Sequence, residues 1–329
     1  MSAAGTAPGA PRDDAARPGA DAAPGHSFPV GRLTLGIAEP LTNDGPVPDM
    51  SNDMERVLLA EEAGFHTLWF RDVPLLCYEF RDAGQIYDPF VHMAYVAART
   101  RRIGLATGSA VLTLRHPIHV AKQAASLDVL SGGRVALGVA TGDREEEFPA
   151  FNQKHSERQR SFADAVDYIR ALWEPGTPMT TANRWGGVEM GVEMLPKPFG
   201  GRRIPLIVTG HCRQTPEWIA AHGDGWLFYP QDQDRTAAHV AGWRRLTDAA
   251  GRGALPYLTQ LSVDLDADPD ADAMPLRHGF RAGRRFLIAY LRELAEAGVD
   301  HVILNLRSSR RPVPEVIGEF GEHILPTFA

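Results

Sequence analysis

The sequence predicts an α/β protein whose folded part is a single (β/α)8, or TIM, barrel. Short apolar segments typical of strands alternate along the chain with amphipathic segments of helical length, a pattern that indicates βαβ units and a parallel sheet. Eight strands can be placed between Leu33 and Leu306, which fits an eight-stranded barrel better than a doubly wound sheet. The length of 329 residues is also typical of a barrel with insertions.

The predicted strands are short apolar runs, each followed by a turn or a polar segment. In chain order they are Leu33–Ala38, Thr67–Phe70, Ile103–Ala110, Val135–Val139, Ile204–Thr209, Gly225–Phe228, Thr259–Val263 and Val302–Leu306.

Helices are predicted between these strands, and several have recognisable ends. Pro117 and Pro216 stand in predicted first turns, and Gly64 and Gly298 follow predicted helix ends. The predicted helices are Asn52–Ala63, Pro89–Arg99, Pro117–Leu130, Arg158–Trp173, Pro216–His222, Arg235–Ala250 and Arg281–Ala297.

Two stretches depart from this alternation. Residues 174–203 are rich in proline and glycine and contain no convincing strand or helix, so we expect an irregular insertion between strands four and five that forms a partly ordered lid. Seventeen of the first 25 residues are Ala, Gly or Pro. Such a segment buries too little apolar surface to offset its ordering entropy, which predicts a disordered tail over residues 1–27 and a folded domain over residues 28–329.

Composition excludes several classes of protein. Asp and Glu outnumber Lys and Arg by 41 to 34, so a nucleic-acid partner is not expected. No apolar run approaches the ~20 residues that span a bilayer, so a membrane protein is not expected either. The two cysteines, Cys77 and Cys212, lie far apart and form no metal or redox pattern, which favours a cytoplasmic protein without a bound metal.

In a barrel, chemistry is expected where the strands end and the βα loops begin. The segment after strand five contains a glycine turn, with Thr215 as a candidate N-cap and Pro216 at the first helical position. Free backbone N–H groups at such a turn suit a phosphate, although an ordinary capped helix explains these residues equally well. Asp72 after strand two is compatible with a simple ion pair to Arg71, and His116 with a residue that orients its loop.

The central part of the sequence resembles the luciferase-like flavin monooxygenases. The segments that carry the resemblance follow one another closely and are Ile103–Ser109, Leu114–Pro117, Ala121–Asp128 and Leu130–Val139. Further segments that resemble the family are Gly64–Trp69, Gly210–Trp218 and Ala221–Trp226. Together they cover most of the chain from residue 33 to about residue 230, and the family resemblance implies the eight-stranded barrel.

The resemblance also implies where a flavin binds. The flavin is expected across the mouth of the barrel, where a cis peptide between Gly108 and Ser109 supports the ring and Thr141 lies beside it. Trp226 is expected near the flavin tail or the ring edge. Asp72 and His116 are candidate catalytic residues for polar control near the reacting atoms. The residues after strand five that are expected to hold the flavin phosphate are Gly210, His211, Gln214 and Thr215, and Thr209 and Cys212 are expected to bind the cofactor as well.

The function implied by this resemblance is oxidation of a small organic substrate by O2 with reduced FMN. The sequence lacks a Gly-x-Gly-x-x-Gly dinucleotide motif, so a separate flavin reductase is the expected source of reduced FMN. An F420-dependent dehydrogenase or reductase that transfers hydride on the same barrel is the main alternative, and a non-catalytic flavin-binding protein is a third. A homodimer through helices on the barrel wall is compatible with the family.

Overall fold

The computed structural model of the chain describes residues 27–42, 47–77, 87–176, 184–230 and 232–329. Residues 1–26 of the predicted tail and residues 177–183 of the predicted insertion lie outside these ranges. The strands are β1 (Thr34–Ala38), β2 (Thr67–Phe70), β3 (Gly104–Val111), β4 (Val135–Ala140), β5 (Leu206–Thr209), β6 (Gly225–Phe228), β7 (Tyr257–Leu265), β8 (Met274–Leu276), β9 (Gly279–Ala282) and β10 (His301–Asn305).

Strands β1 to β7 and β10 form a closed parallel barrel. Each strand from β1 to β7 pairs with the next, and β10 closes the barrel by pairing with both β7 and β1. The predicted (β/α)8 barrel is thereby confirmed. The predicted strands Thr67–Phe70 and Gly225–Phe228 agree with the structure residue for residue, and the other barrel strands agree within two residues at each end.

Helices pack around the outside of this barrel. They are α1 (Asp53–Ala63), α2 (Pro89–Ala97), α3 (Pro117–Ser131), α4 (Arg158–Trp173), α5 (Pro216–His222), α6 (Gln233–Ala249), α7 (Arg284–Glu296) and α8 (Val313–Glu319). Short 3-10 segments lie at Glu145–Phe151, His155–Glu157, Phe199–Gly201 and Leu325–Phe328, with a π-helical turn at Phe320–Ile324. Within the described ranges, no helix is long and apolar enough to cross a lipid bilayer.

The interior of the barrel is a packed core that includes a buried polar group around His301. Trp69 Nε1 donates to His301 Nε2 at 3.0 Å, and Thr34 Oγ1 lies 2.7 Å from His301 Nδ1. Both ring nitrogens of His301 thus have partners inside the barrel. Phe28 packs against Trp69 with ring centroids 5.6 Å apart and closes the N-terminal end of the barrel.

A β-hairpin between the seventh and eighth barrel strands was not predicted. Strand β9 pairs in parallel with the C-terminal half of β7, and β8 pairs antiparallel with β9. The predicted start of a helix at Arg281 is wrong, because Gly279–Ala282 is strand and α7 begins at Arg284. The apolar periodicity of α7 extends back into β9, so periodicity alone did not separate the two elements.

The predicted insertion lies mainly along the outer wall of the barrel. Trp185 Nε1 donates to the Ser161 carbonyl on α4 at 3.1 Å, and Lys197 Nζ donates to the Leu172 carbonyl at the other end of α4 at 3.0 Å. The described segment 184–203 thus follows α4 from the rim of the mouth towards the opposite end of the barrel. Only its beginning lies near the mouth, where a lid would act.

Candidate active site at the mouth of the barrel

The carboxyl ends of β3 and β5 meet at the mouth of the barrel. The peptide between Gly108 and Ser109 is cis, as the family resemblance implies. The pairing of β3 with β4 shifts register here, between Thr107 and Ala110. Ser109 Oγ and Thr209 Oγ1 lie 2.5 Å apart and share a hydrogen bond. Two of the predicted cofactor-binding residues therefore stand side by side on the partly exposed floor of the mouth.

The turn after β5 has the backbone shape of an anion-binding site. Gly210, Cys212 and Arg213 have φ of 59°, 47° and 62°, in the left-handed region. The Gln214 N–H closes the turn on the His211 carbonyl at 2.8 Å. Within the described part of the chain, the N–H groups of His211, Cys212 and Arg213 donate to no protein acceptor. Such a run of unpaired N–H groups suits a phosphate.

Strands β5 and β6 hold this turn in place from below. The Gly210 N–H donates to the Leu227 carbonyl, and Trp226 Nε1 donates to the Gly210 carbonyl, both at 2.7 Å. The Cys212 thiol donates to the Thr209 carbonyl at 3.1 Å. Burial raises the pKa of Cys212 to about 12, so the thiol stays protonated at neutral pH.

Trp226 and His211 form the aromatic support of the turn. Trp226 is 2% exposed and packs against Trp243 of α6, with ring centroids 5.4 Å apart. The exposed His211 ring contacts Trp226 and Phe228 edge-on, at centroid distances of 5.6 and 5.3 Å. Trp226 therefore supports the turn from behind, and His211 is the aromatic side chain at its surface.

The remaining predicted phosphate-binding side chains have structural partners. Gln214 Nε2 donates to the Gln159 carbonyl at 2.8 Å, which joins the turn to α4. Thr215 Oγ1 accepts from the Trp218 N–H at 3.2 Å and caps α5, as the sequence predicts. These two side chains hold the turn, whereas its free backbone N–H groups are available to a ligand.

Thr141 follows β4 and is 8% exposed. Its carbonyl accepts from Thr113 Oγ1 at 2.7 Å, which joins the end of β4 to the loop after β3. Gly142 follows with φ of 75°, and a Cβ there would lie 2.8 Å from Val111 Cγ1. Gly142 therefore packs so closely against Val111 that a larger residue would not fit at this edge of the mouth.

Asp72 is a buried anchor that joins the end of β2 to the end of β3. Its Oδ2 accepts from the Val111 N–H at 3.0 Å and from Arg115 Nε at 2.7 Å, and its Oδ1 accepts from Arg115 Nη2 at 2.7 Å. The predicted alternative of a pair with Arg71 is replaced by this bidentate pair with Arg115. With both oxygens held, the geometry favours a positioning role over proton transfer.

Arg115 is the partner that sequence reasoning missed. It also donates to Asp88 Oδ2 at 2.7 Å, so one guanidinium joins two carboxylates. Burial alone lowers the pKa of Arg115, but its hydrogen bonds and charge interactions with Asp72 and Asp88 raise the pKa above the usual value. Its position beside His116 in a motif of the resemblance was the available signal.

His116 lies at the outer rim, where it caps α3. Its Nδ1 accepts from the Ile118 N–H at 3.3 Å, and its Nε2 donates to the Trp185 carbonyl at 3.1 Å. Both ring nitrogens thus have partners, and the ring joins α3 to the insertion.

A cavity of about 540 Å³ lies beside Asp72 and His116. Its described lining comes from the loops after β2 and β3, the start of α2, the first two turns of α3, and Phe151, with no residue from β5 or β6. The predicted residues therefore fall into two groups. Asp72 and His116 border this cavity, whereas the predicted cofactor-binding residues lie on the side of β3 to β6.

A family model described as luciferase-like monooxygenase matches residues 31–305. The chain belongs to the luciferase-like monooxygenase family. This protein of the luciferase-like family is 32% identical over 177 residues to an uncharacterised protein of Mycobacterium tuberculosis, a match that covers 54% of this chain and 61% of the relative. It is 30% identical over 182 residues to 4-hydroxyprotoasukamycin monooxygenase of Streptomyces nodosus subsp. asukaensis, covering 54% and 47%. The chain thus spans only about half to three fifths of these relatives' length.

Several solved structures have a fold similar to that of this chain. A monooxygenase from Streptomyces bottropensis matches with a TM-score of 0.75 at 22% identity, over 90% of this chain and 100% of the other. An F420-dependent secondary alcohol dehydrogenase in complex with an F420–acetone adduct matches with a TM-score of 0.74 at 19% identity, over 91% and 99%. The oxygenating constituent of 3,6-diketocamphane monooxygenase from Pseudomonas putida, in complex with FMN, matches with a TM-score of 0.73 at 13% identity, over 91% and 99%. At these identities the likeness concerns the fold.

Proposed function

We propose that this protein is a monooxygenase that uses reduced FMN and O2 to oxidise a small organic substrate. The observation that carries the proposal is the turn after β5, where three backbone N–H groups without a partner among the described residues lie next to the Ser109–Thr209 pair in a chain of the luciferase-like monooxygenase family. The phosphate of a flavin would then lie at this turn and the ring beside the Ser109–Thr209 pair, next to each other in the mouth of the barrel.

The residues at the mouth fit a flavin phosphate. Unpaired N–H donors are the chemistry that a phosphate requires, and Gly210 leaves the backbone accessible there. Among the described residues beyond its chain neighbours, a Cβ at Gly210 would come within 4 Å only of Tyr229 Cε2, at 3.9 Å. His211, Cys212 and Arg213 would hold the phosphate by their N–H groups, and Gly108, Ser109 and Thr141 would border the ring.

A bound reduced flavin would supply two electrons to O2, so that one oxygen atom enters the substrate and the other leaves as water. The chain's own residues fix the geometry of this chemistry. Asp72 and Arg115 hold the β3 end at Val111, close to the cis peptide. His116 and Trp185 hold the rim between α3 and the insertion. Asp72 and His116, predicted as catalytic residues, are thus proposed to position the mouth.

The cavity beside Asp72 is the proposed substrate site. Its volume of about 540 Å³ falls in the range of small-molecule pockets. Its lining mixes apolar residues, such as Leu114 and Phe151, with polar ones, such as His119 and Gln123, which suits a small organic molecule with an apolar body.

Two partners are part of the proposal. A separate reductase would supply reduced FMN, as the absence of a dinucleotide motif from the sequence suggests. A second copy of the chain would pack on the barrel wall. There α2 exposes Val91 by 68% and Tyr95 by 50%, two apolar side chains one helical turn apart.

An F420-dependent dehydrogenase is the second candidate. It is favoured by the structural match to an F420-dependent alcohol dehydrogenase, whose TM-score of 0.74 nearly equals that of the monooxygenase at 0.75. Unpaired N–H groups at the β5 turn bind a phosphate monoester and a phosphodiester alike, so this turn supports both cofactors.

An anaerobic titration with reduced FMN and, in parallel, with reduced F420 tests the proposal. We expect reduced FMN to bind and, when air is admitted, to be reoxidised with kinetics that differ from those of free reduced FMN. Binding of F420 without a reaction with O2 would establish the second candidate instead. Tight binding of oxidised FMN with no effect on reoxidation would indicate a non-catalytic flavin-binding protein.

A further inference from the structure

The β8–β9 hairpin presents a fixed tip to the mouth of the barrel. The Ser262 N–H on β7 donates to the His278 carbonyl at the tip, at 2.9 Å. The next residue, Gly279, lies so close to β7 that a Cβ would stand 1.9 Å from the Ser262 carbonyl oxygen. The tip is therefore held against the middle of β7.

Tyr229 connects this tip to the turn after β5. Its ring lies 5.7 Å from the His278 ring, between centroids, and its Cε2 lies above Gly210. The side chain is 50% exposed, and within the described ranges its hydroxyl has no hydrogen-bond partner. Burial and the charge of Asp143 raise the pKa of Tyr229, whereas Arg277 lowers it. A hydroxyl donor thus stands above the turn, beside the hairpin tip that contains Arg277 and His278.

Arg277 gives the tip a positive charge. It precedes His278, is exposed, and forms no ion pair with any residue that the structure describes. Asp143 is the carboxylate that acts on the same tyrosine, and Arg213, also exposed, follows the unpaired N–H groups of the turn. Two exposed arginines, Arg213 on the turn and Arg277 on the hairpin tip, therefore flank Tyr229 in the chain segments that meet here.

We propose that Arg277 at the hairpin tip, with Tyr229 beside it, forms the second wall of a phosphate subsite whose first wall is the turn after β5. The inference rests on the proposed function and adds to it a cofactor-binding element from the hairpin. The ligand is a phosphorylated flavin, either the monoester of FMN or the diester of F420. A guanidinium donates charge-assisted hydrogen bonds to phosphate oxygens, and the neutral Tyr229 hydroxyl donates one more.

The test compares each cofactor with its phosphate-free form. Dissociation constants of FMN and riboflavin, and of F420 and its dephosphorylated deazaflavin chromophore, are measured by fluorescence on the full chain and on Arg277→Ala and Tyr229→Phe. Arg292→Ala is the matched control, since Arg292 is an exposed arginine on α7. The dissociation constant of the phosphate-free form, divided by that of the phosphorylated cofactor, reports phosphate recognition independently of ring binding and of enzyme activity.

We expect Arg277→Ala to reduce this ratio roughly 10- to 100-fold, as for loss of a hydrogen bond to a charged group, and Arg292→Ala to leave it unchanged. Tyr229→Phe should reduce the ratio by a smaller factor. The effect of Arg277→Ala should shrink at high salt, because an exposed charge is screened. An unchanged ratio in Arg277→Ala would overturn the inference while the proposed function stands. If the unsubstituted chain binds no flavin or deazaflavin, both fail.

Discussion

Asp72 shows how one side chain organises the mouth of the barrel. Its carboxylate is 1% exposed and accepts three hydrogen bonds, two from Arg115 and one from the Val111 N–H. Removing one partner of a buried ion pair is costly because the other charge stays behind in a poorly solvated place. Asp72 is therefore more important for the position of β3 than an isolated acidic residue would be.

We expect Asp72→Asn to lower the free energy of unfolding by about 3 kcal/mol, measured by chemical denaturation. Asp164→Asn serves as the control, because Asp164 pairs with the exposed Arg160 at 3.8 Å and its loss should cost less than about 1 kcal/mol. A positioning role also predicts that the pH profile of activity in Asp72→Asn keeps its shape. An Asp72→Asn protein of normal stability, with a lost limb in its pH profile, would instead indicate proton transfer by Asp72.

At the scale of elements, the start of α3 is where the barrel and the insertion are joined. His116 caps the helix with Nδ1 and holds the Trp185 carbonyl with Nε2. The cap satisfies one of the helix N–H groups that lack an intrahelical partner. The insertion is thus attached to the rim by a side chain that also defines where α3 begins.

His116→Ala should lower the free energy of unfolding by about 1 kcal/mol through loss of this cap. His116→Asn keeps a side-chain acceptor at the cap position, so we expect it to recover most of that stability and to retain activity. Thermal denaturation and turnover are measured on both variants. Loss of turnover in His116→Asn as complete as in His116→Ala, at recovered stability, would argue for a catalytic imidazole.

At the scale of the whole molecule, a buried acidic cluster couples stability to pH. Glu39 follows β1 and is 1% exposed, and its Oε2 accepts from the Leu41 N–H at 3.0 Å. Burial, together with the nearby charge of Asp53, raises the pKa of Glu39 well above 4.5, although Arg56 opposes this shift. Asp53 in turn lies 2.8 Å from His92 Nε2. The folded protein therefore keeps a proton on Glu39 that the unfolded chain releases.

Since the unfolded chain binds fewer protons than the folded protein above pH 4.5, this group makes the free energy of unfolding fall as pH rises towards the folded pKa of Glu39. In this window Glu39→Gln should remove a slope of about 1.4 kcal/mol per pH unit. Urea denaturation across the pH range measures the slope, with Glu55→Gln on the exposed face of α1 as the control. Equal slopes in Glu39→Gln and the unsubstituted protein would show that the folded protein holds no extra proton on Glu39.

The alternation of apolar and amphipathic segments was sufficient to predict the barrel, because each barrel strand and the helix after it are encoded by a contiguous stretch of sequence. Strand β2 and helix α4 agree with the prediction at both ends. The β8–β9 hairpin escaped prediction because β8 has only three residues, all at least partly exposed, and therefore lacks an apolar pattern. Its position depends instead on pairing with β7, across a loop.

At the candidate site, the sequence by itself determined the family and the turn after β5, and the family resemblance implied the position of the cis peptide, because these features depend on contiguous motifs. Only the tertiary structure decided the partner of Asp72, the attachment of His116 to Trp185 and the approach of the hairpin tip to Tyr229. Ring and side-chain contacts of this kind join residues 43, 69 and 49 positions apart along the chain. No local pattern encodes such contacts, since they arise when barrel closure brings the carboxyl ends of distant strands to one mouth.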